Sequence, residues 1–95
     1  MKSEKTIEKT LKKEVENLGG VCIKLTTLHF SGLPDRLCLL PGGRAVFVET
    51  KSTGDKVRKL QVKVHGKLKK LGFRVELIDS KETLKKFIND SSKFI

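Results

Sequence analysis

Apolar residues recur at helical spacing over residues 3–18, where Ile7, Leu11, Val15 and Leu18 mark one face and Glu14 lies beside Val15 on the same stripe. Ser3 stands where an N-cap is needed, and Gly19-Gly20 ends the pattern. The period then changes to two. Val21, Ile23 and Leu25 alternate with Cys22, Lys24 and Thr26, which predicts a first strand over 21–26. Leu28 to Pro34 reads as a loop. Residues 36–40 form a nearly continuous apolar run, as expected of a strand covered on both faces. Pro41-Gly42-Gly43 is a turn, and residues 44–51 supply the second arm of a hairpin. A loop at 52–54, with Asp55 as a cap, leads into a predicted helix over 56–71. In it Val57, Leu60, Val64, Leu68 and Leu71 face inward, and Lys59, Lys63, Lys67 and Lys70 face away. Gly72 closes that helix. A fourth strand over 73–78 follows, then a helix over 81–89 capped by Ser80, and a short tail over 91–95.

The predicted order is α-β-β-β-α-β-α. A crossover helix between the second arm of the hairpin and the fourth strand makes those two strands parallel, so the four-stranded sheet is expected to be mixed. The chain of 95 residues has room for one domain, expected to span 1–95, with a thin two-layer core. With no Trp and no Tyr, that core must be built from Phe, Leu, Val and Ile. A chain this short buries only roughly 60–65% of its unfolded surface. Self-association would add to that, so small size favours a homodimer.

Charge changes the picture more than size does. Lys and Arg number 21 against 11 Asp and Glu, a formal net charge of +10. Such a surface attracts polyanions, of which nucleic acid is the commonest. No apolar run is long enough to span a bilayer, and the basic residues are spread over several elements rather than gathered on one amphipathic helix. The N-terminus opens on charged residues, without the apolar segment of a signal peptide. Cys22 and Cys38 lie in predicted strands without metal-ligand spacing and read as reduced core thiols, in keeping with a cytoplasmic protein.

The hairpin brings charges together. With its turn centred near Gly42, position 35 falls opposite position 49, and opposed residues of antiparallel strands share a face about 5 Å apart. Asp35 and Glu49 are thus expected to be neighbours, with Lys51 two residues on along the same face. Two adjacent carboxylates destabilise a hairpin unless something compensates them, and a divalent cation takes hard oxygen ligands of this kind. Glu49 also follows the apolar run Ala45-Val46-Phe47-Val48, where a charge breaks the local pattern in the way functional sites do. Gln61 falls on the inward face of its helix, where a buried amide needs hydrogen-bond partners. It could support the site or touch DNA. His29 and Phe30 precede Gly32 in the loop. The candidate phosphate contacts are Lys24, Arg36, Lys56, Arg58, Lys59 and Lys63.

Gly32-Leu33-Pro34-Asp35-Arg36, then Val48-Glu49-Thr50-Lys51, then Gln61 together resemble the VRR-NUC family of the PD-(D/E)XK nuclease superfamily. The likeness extends over essentially the whole chain. It implies a restriction-endonuclease-like α/β fold and an Mg²⁺- or Mn²⁺-dependent endodeoxyribonuclease with Asp35, Glu49, Lys51 and Gln61 as catalytic residues. It also implies that Asp35, Glu49 and the backbone carbonyl of Thr50 ligate the metal, with Lys51 orienting the attacking water and stabilising charge on the phosphate. A Glu of the first helix completes the metal site. Glu4 ranks first, because it lies on the side of Ile7 and Leu11, with Glu14 and Glu8 as alternatives. The stand-alone members of the family, from phage and bacteria, resemble dimeric junction resolvases. Branched DNA such as a four-way junction is therefore the expected substrate. The competing readings are a non-catalytic nucleic-acid-binding module, which would gain nothing from clustered carboxylates facing phosphates, and an accessory subunit of a larger nuclease or repair complex, which a metal-dependence assay on the purified chain separates from a nuclease.

Overall fold

The core is drawn from both ends of the chain. In the computed structural model, which describes residues 3–26 and 29–93, Ile7, Leu11 and Val15 meet Cys22, Cys38, Leu40, Val46, Val48 and Ile78, with Leu84 and Phe87 closing the cluster. Three helices and four strands carry these residues: α1 (Glu4–Asn17), β1 (Val21–Lys24), β2 (Arg36–Leu40), β3 (Arg44–Thr50), α2 (Lys59–Lys70), β4 (Arg74–Ile78) and α3 (Lys81–Ser92). The strand order is β1-β2-β3-β4, antiparallel except for the β3–β4 pair, which is parallel. This is the expected element order and the expected mixed sheet.

Local chemistry explains where α1 and α3 begin. Ser3 caps α1 by accepting from the Thr6 amide, and Ser80 caps α3 by accepting from the Thr83 amide. The β2–β3 register sets Arg36 opposite Val48 and Leu40 opposite Arg44, so by continuation Asp35 faces Glu49 across the hairpin. The predicted loop start at Leu28 and the last two positions of the predicted tail lie outside the described residues.

Several boundaries differ from the expectation. The first strand stops at Lys24 rather than 26, and the third at Thr50 rather than 51. Helix α2 begins at Lys59, three residues after the predicted start, because Gln61 folds back and accepts the Arg58 amide at 3.0 Å. Asp55 is not its cap; its amide closes a turn onto the Ser52 carbonyl. The last helix runs on through Ser92, into the stretch expected to be a tail. There the buried Ser91 offers its carbonyl to Arg44 Nη2 at 2.8 Å, a tertiary contact that holds the final turn.

The layering differs too. Helices α1 and α3 pack together on one face of the sheet, but α2 takes the other face beside β4, so there are three layers rather than two. The third layer is partial. On α2 only Val64 and His65 are buried, while Leu60 and Leu71, expected to face inward, are 50% and 68% exposed. On the same side of the sheet, Val21 and Ile23 of β1 and Leu39 of β2 are left open.

Gly32 joins this partial layer to the hairpin. Its φ is +88°, and a Cβ there would come within 2.8 Å of Val64 Cγ2 and 3.0 Å of the Leu60 carbonyl. The loop before Asp35 therefore lies directly on α2. Gly32→Ala combines an unfavourable backbone conformation with overpacking and should cost about 2–3 kcal/mol in chemical unfolding. Because the same contact seats the loop, the variant should also lose the geometry around Asp35.

Candidate active site

Three consecutive residues leave the end of β3 in alternating directions. Val46, Val48 and Thr50 point into the α1–α3 core, whereas Glu49 and Lys51 point to the α2 side. Thr50 is completely buried and commits both of its donors to one partner. Its amide donates to Asp35 Oδ1 at 2.8 Å and its hydroxyl to Oδ2. The same hydroxyl lies 3.3 Å from Glu8 Oε1 on α1. Glu8 in turn is paired with Arg36 at 3.6 Å. The N-terminus of α1 reaches the strand end as well, since the Glu4 amide donates to Ser52 Oγ at 3.1 Å. Carboxylate oxygens of Glu4, Glu8 and Asp35 consequently lie within 4.8 Å of one another.

Glu49 forms the second half of the site. Its side chain is only 3% exposed, an unusual burial for a carboxylate. Oε2 receives Lys51 Nζ at 3.2 Å and Gln61 Nε2 at 3.1 Å. Oε1 faces His65 Nε2 at 4.0 Å and has no hydrogen-bond partner among the described residues. Gln61 thus links two jobs, capping α2 through its carbonyl and holding Glu49 through its amide.

The structure therefore separates what the hairpin register was expected to join. Asp35 and Glu49 are opposed in register, but their carboxylates stand on the two sides of the β3 end, Asp35 toward α1 and Glu49 toward α2. The reason is that Asp35 follows the buried Pro34 and precedes β2, so it is outside the pleat that would have fixed its direction. Of the helix-1 candidates, Glu8 makes the direct contacts and Glu4 joins the cluster. Glu14 borders the crevice between α1 and α3, beside Lys81 and Lys85. Arg36, expected to meet phosphate, is instead mostly buried against Glu8. Lys24, Lys56, Arg58, Lys59 and Lys63 are exposed, as are His29 and Phe30. Two features escaped the sequence: the Thr50 side chain, and His65. The signal for His65 was its place one turn after Gln61 on the same helical face.

Crowding shifts the acids in opposite directions. Burial and the proton shared with Glu8 push Asp35 up to about 7, against the pull of the Thr50 donors, and the charge of Glu49 adds to the rise. Burial also opposes ionisation of Glu8. The hydrogen bond with Asp35 and the charges of Arg36 and Lys24 outweigh it and hold Glu8 below the usual carboxylate range. The Thr50 hydroxyl has one hydrogen and two carboxylate neighbours, so a proton retained on Asp35 satisfies the cluster. Burial also lowers His65, against the pull of Glu49, and so favours the neutral imidazole.

A raised Asp35 means that the folded chain binds this proton more tightly than the unfolded chain does. Stability is then greatest while Asp35 stays protonated, and it falls as pH rises toward and through about 7. Thermal melts of the metal-free protein from pH 5 to pH 8 should show this decline. Asp35→Asn should flatten it and melt higher than the parent at pH 8. Equal pH dependence in the two proteins would show that Asp35 carries no such strain.

The chain matches the VRR-NUC domain model over residues 2–82. It is 40% identical over 79 residues to Putative nuclease p44 of Acyrthosiphon pisum secondary endosymbiont phage 1, an alignment covering 83% of this chain and 85% of that protein. A solved structure described as a VRR-NUC domain superposes with a TM-score of 0.84 at 32% identity, covering 93% of this chain and 97% of the other. With the α-β-β-β-α-β-α order, the mixed sheet and the carboxylates gathered at the end of β3, these likenesses show that the chain belongs to the VRR-NUC family of nucleases.

Proposed function

We propose that this protein is a divalent-cation-dependent DNA endonuclease whose active site is the end of β3. The observation that carries the reading is the convergence there of Glu4, Glu8 and Asp35 beside the buried Glu49 and its ion-pair partner Lys51. An all-oxygen carboxylate set suits Mg²⁺ or Mn²⁺, and the proton that Asp35 retains near neutral pH is one that a cation would replace. Asp35, Glu49 and the Thr50 carbonyl are the proposed ligands, with Glu8 and Glu4 completing the set from α1. When bound, the cation polarises the scissile phosphate and lowers the pKa of an attacking water. Lys51 holds a positive charge next to Glu49 and meets the negative charge that develops on the phosphate. Gln61 keeps Glu49 and Lys51 in register with α2. The exposed Lys24, Lys56, Arg58, Lys59 and Lys63 supply contacts to the DNA backbone, which carry affinity without base sequence.

Asp35→Ala and Glu49→Ala should each abolish cleavage of plasmid or oligonucleotide DNA in Mg²⁺ or Mn²⁺ while leaving DNA binding in gel shift intact. Lys51→Ala should keep cation binding and lose on the order of 10²–10³ in rate. Full activity in either carboxylate variant would refute the ligand assignment.

We further propose that the enzyme works as a homodimer on branched DNA such as a four-way junction, in the cytoplasm of a bacterial or phage-infected cell. A small domain with little surface for reading bases suits recognition of DNA shape. The uncovered Val21, Ile23 and Leu39 face supports pairing with a second copy, and twofold symmetry would offer two sites to two strands. Light scattering should give a dimer, and a synthetic junction at low salt should receive paired nicks. A strict monomer that cuts only flaps or single strands would overturn this part and leave the nuclease standing.

A further inference from the structure

Glu49 Oε1 and His65 Nε2 are both buried, both without a hydrogen-bond partner among the described residues, and face each other at 4.0 Å. Orphaned polar atoms in a protein interior cost free energy, and two that confront one another call for a common explanation. The distance is too long for a hydrogen bond. It lies about 1 Å beyond one, a gap that a small side-chain rotation closes, and hydrogen bonds of active sites are often long until the site is loaded.

Counting lone pairs shows what such a bond would do. An ionised carboxylate offers about four acceptor positions, two on each oxygen. Lys51 and Gln61 occupy those of Oε2, so Oε1 alone is left open to a cation. A donor from His65 would take one position on Oε1 and leave one. The imidazole is buried on the helix face that Val64 packs against Gly32.

We propose that His65 is a positioning residue for Glu49: its Nε2–H holds Oε1 from the α2 side, so that the carboxylate is set by three donors and presents one lone pair to the cation. The role rests on the metal-dependent reading above. It makes α2, through Gln61 and His65, the frame that aims Glu49, while α1 brings Glu8 and Glu4 to Asp35 from the other side of the strand.

The test compares His65→Leu and His65→Gln with the parent. Mn²⁺ affinity is measured by calorimetry, single-turnover cleavage at saturating Mn²⁺, and melting temperature without metal. His65→Leu should weaken Mn²⁺ binding by about 10-fold or more, as loss of a partner behind a metal ligand usually does. It should melt no lower than the parent, since an orphaned polar atom has been replaced by an apolar one. His65→Gln, which keeps an N–H donor at similar reach, should recover most of the affinity and rate. Unchanged affinity and rate in His65→Leu would overturn the role. So would a loss that tracks a fall in melting temperature, or that His65→Gln fails to repair. Should His65→Leu not fold, a His65→Gln protein that folds but binds Mn²⁺ as weakly as Glu49→Ala would overturn it equally. A parent protein that binds no Mn²⁺ would remove the nuclease reading itself, a result distinct from any difference among the variants.

Discussion

The burial of Thr50 at the end of β3 is the constraint on which the site depends. A strand residue with no exposure must have its amide and hydroxyl satisfied inside the protein, and both go to Asp35. That pairing locks the start of β2 to the end of β3, beyond the last ladder pair of the hairpin. It also draws α1 to the same place, because Glu8 shares the Thr50 hydroxyl and Glu4 is anchored through Ser52. The neighbours of Thr50 must then point the other way, which sends Glu49 and Lys51 to α2. One buried residue thus divides the chemistry between two faces of the sheet and keeps both halves next to each other.

The arrangement is costly for the folded chain. Four carboxylates lie close to one strand end, and the local cations are Arg36, Lys51 and Lys24. Arg36 neutralises part of the α1 side, and Lys51 part of the α2 side. What remains shows as the retained proton on Asp35 and the unpartnered Oε1 of Glu49. Natural proteins tolerate such conflict where function needs it, and stability comes from elsewhere. Here it comes from the apolar cluster of α1, α3 and the sheet, which abuts the site but contains none of its charges.

The partial third layer connects the fold to its use. Helix α2 spends little of its surface on packing. Its buried positions, Val64 and His65, press against the Gly32 loop and Glu49, while Lys59 and Lys63 lie exposed on the same helix. One short helix therefore carries the Glu49 frame and part of the basic surface. The open β1–β2 face beside it is apolar rather than charged, which separates a surface suited to a partner protein from one suited to phosphates.

Periodicity, turn residues and the crossover helix determined the element order, the parallel β3–β4 pairing and the hairpin register, and together with the family resemblance they brought Asp35, Glu49, Lys51 and Gln61 forward. It also placed Glu49 and Lys51 on one face, as two residues two apart in a strand must be. Where Asp35 points was not legible, since it lies outside the ladder and its direction is set by Thr50, a partner fifteen residues away. The preference for Glu8 over Glu14 was equally hidden. Both sit on one helix, and only the docking of α1 against the end of β3 distinguishes its two ends. The exposure of Leu60 and Leu71 and the extension of α3 to Ser92 depend on how much surface a neighbouring element covers, and His65 drew its meaning from the same source. Tertiary structure decided these points because burial and partnership are properties of distant chain segments brought together, and no local pattern encodes which segment will arrive.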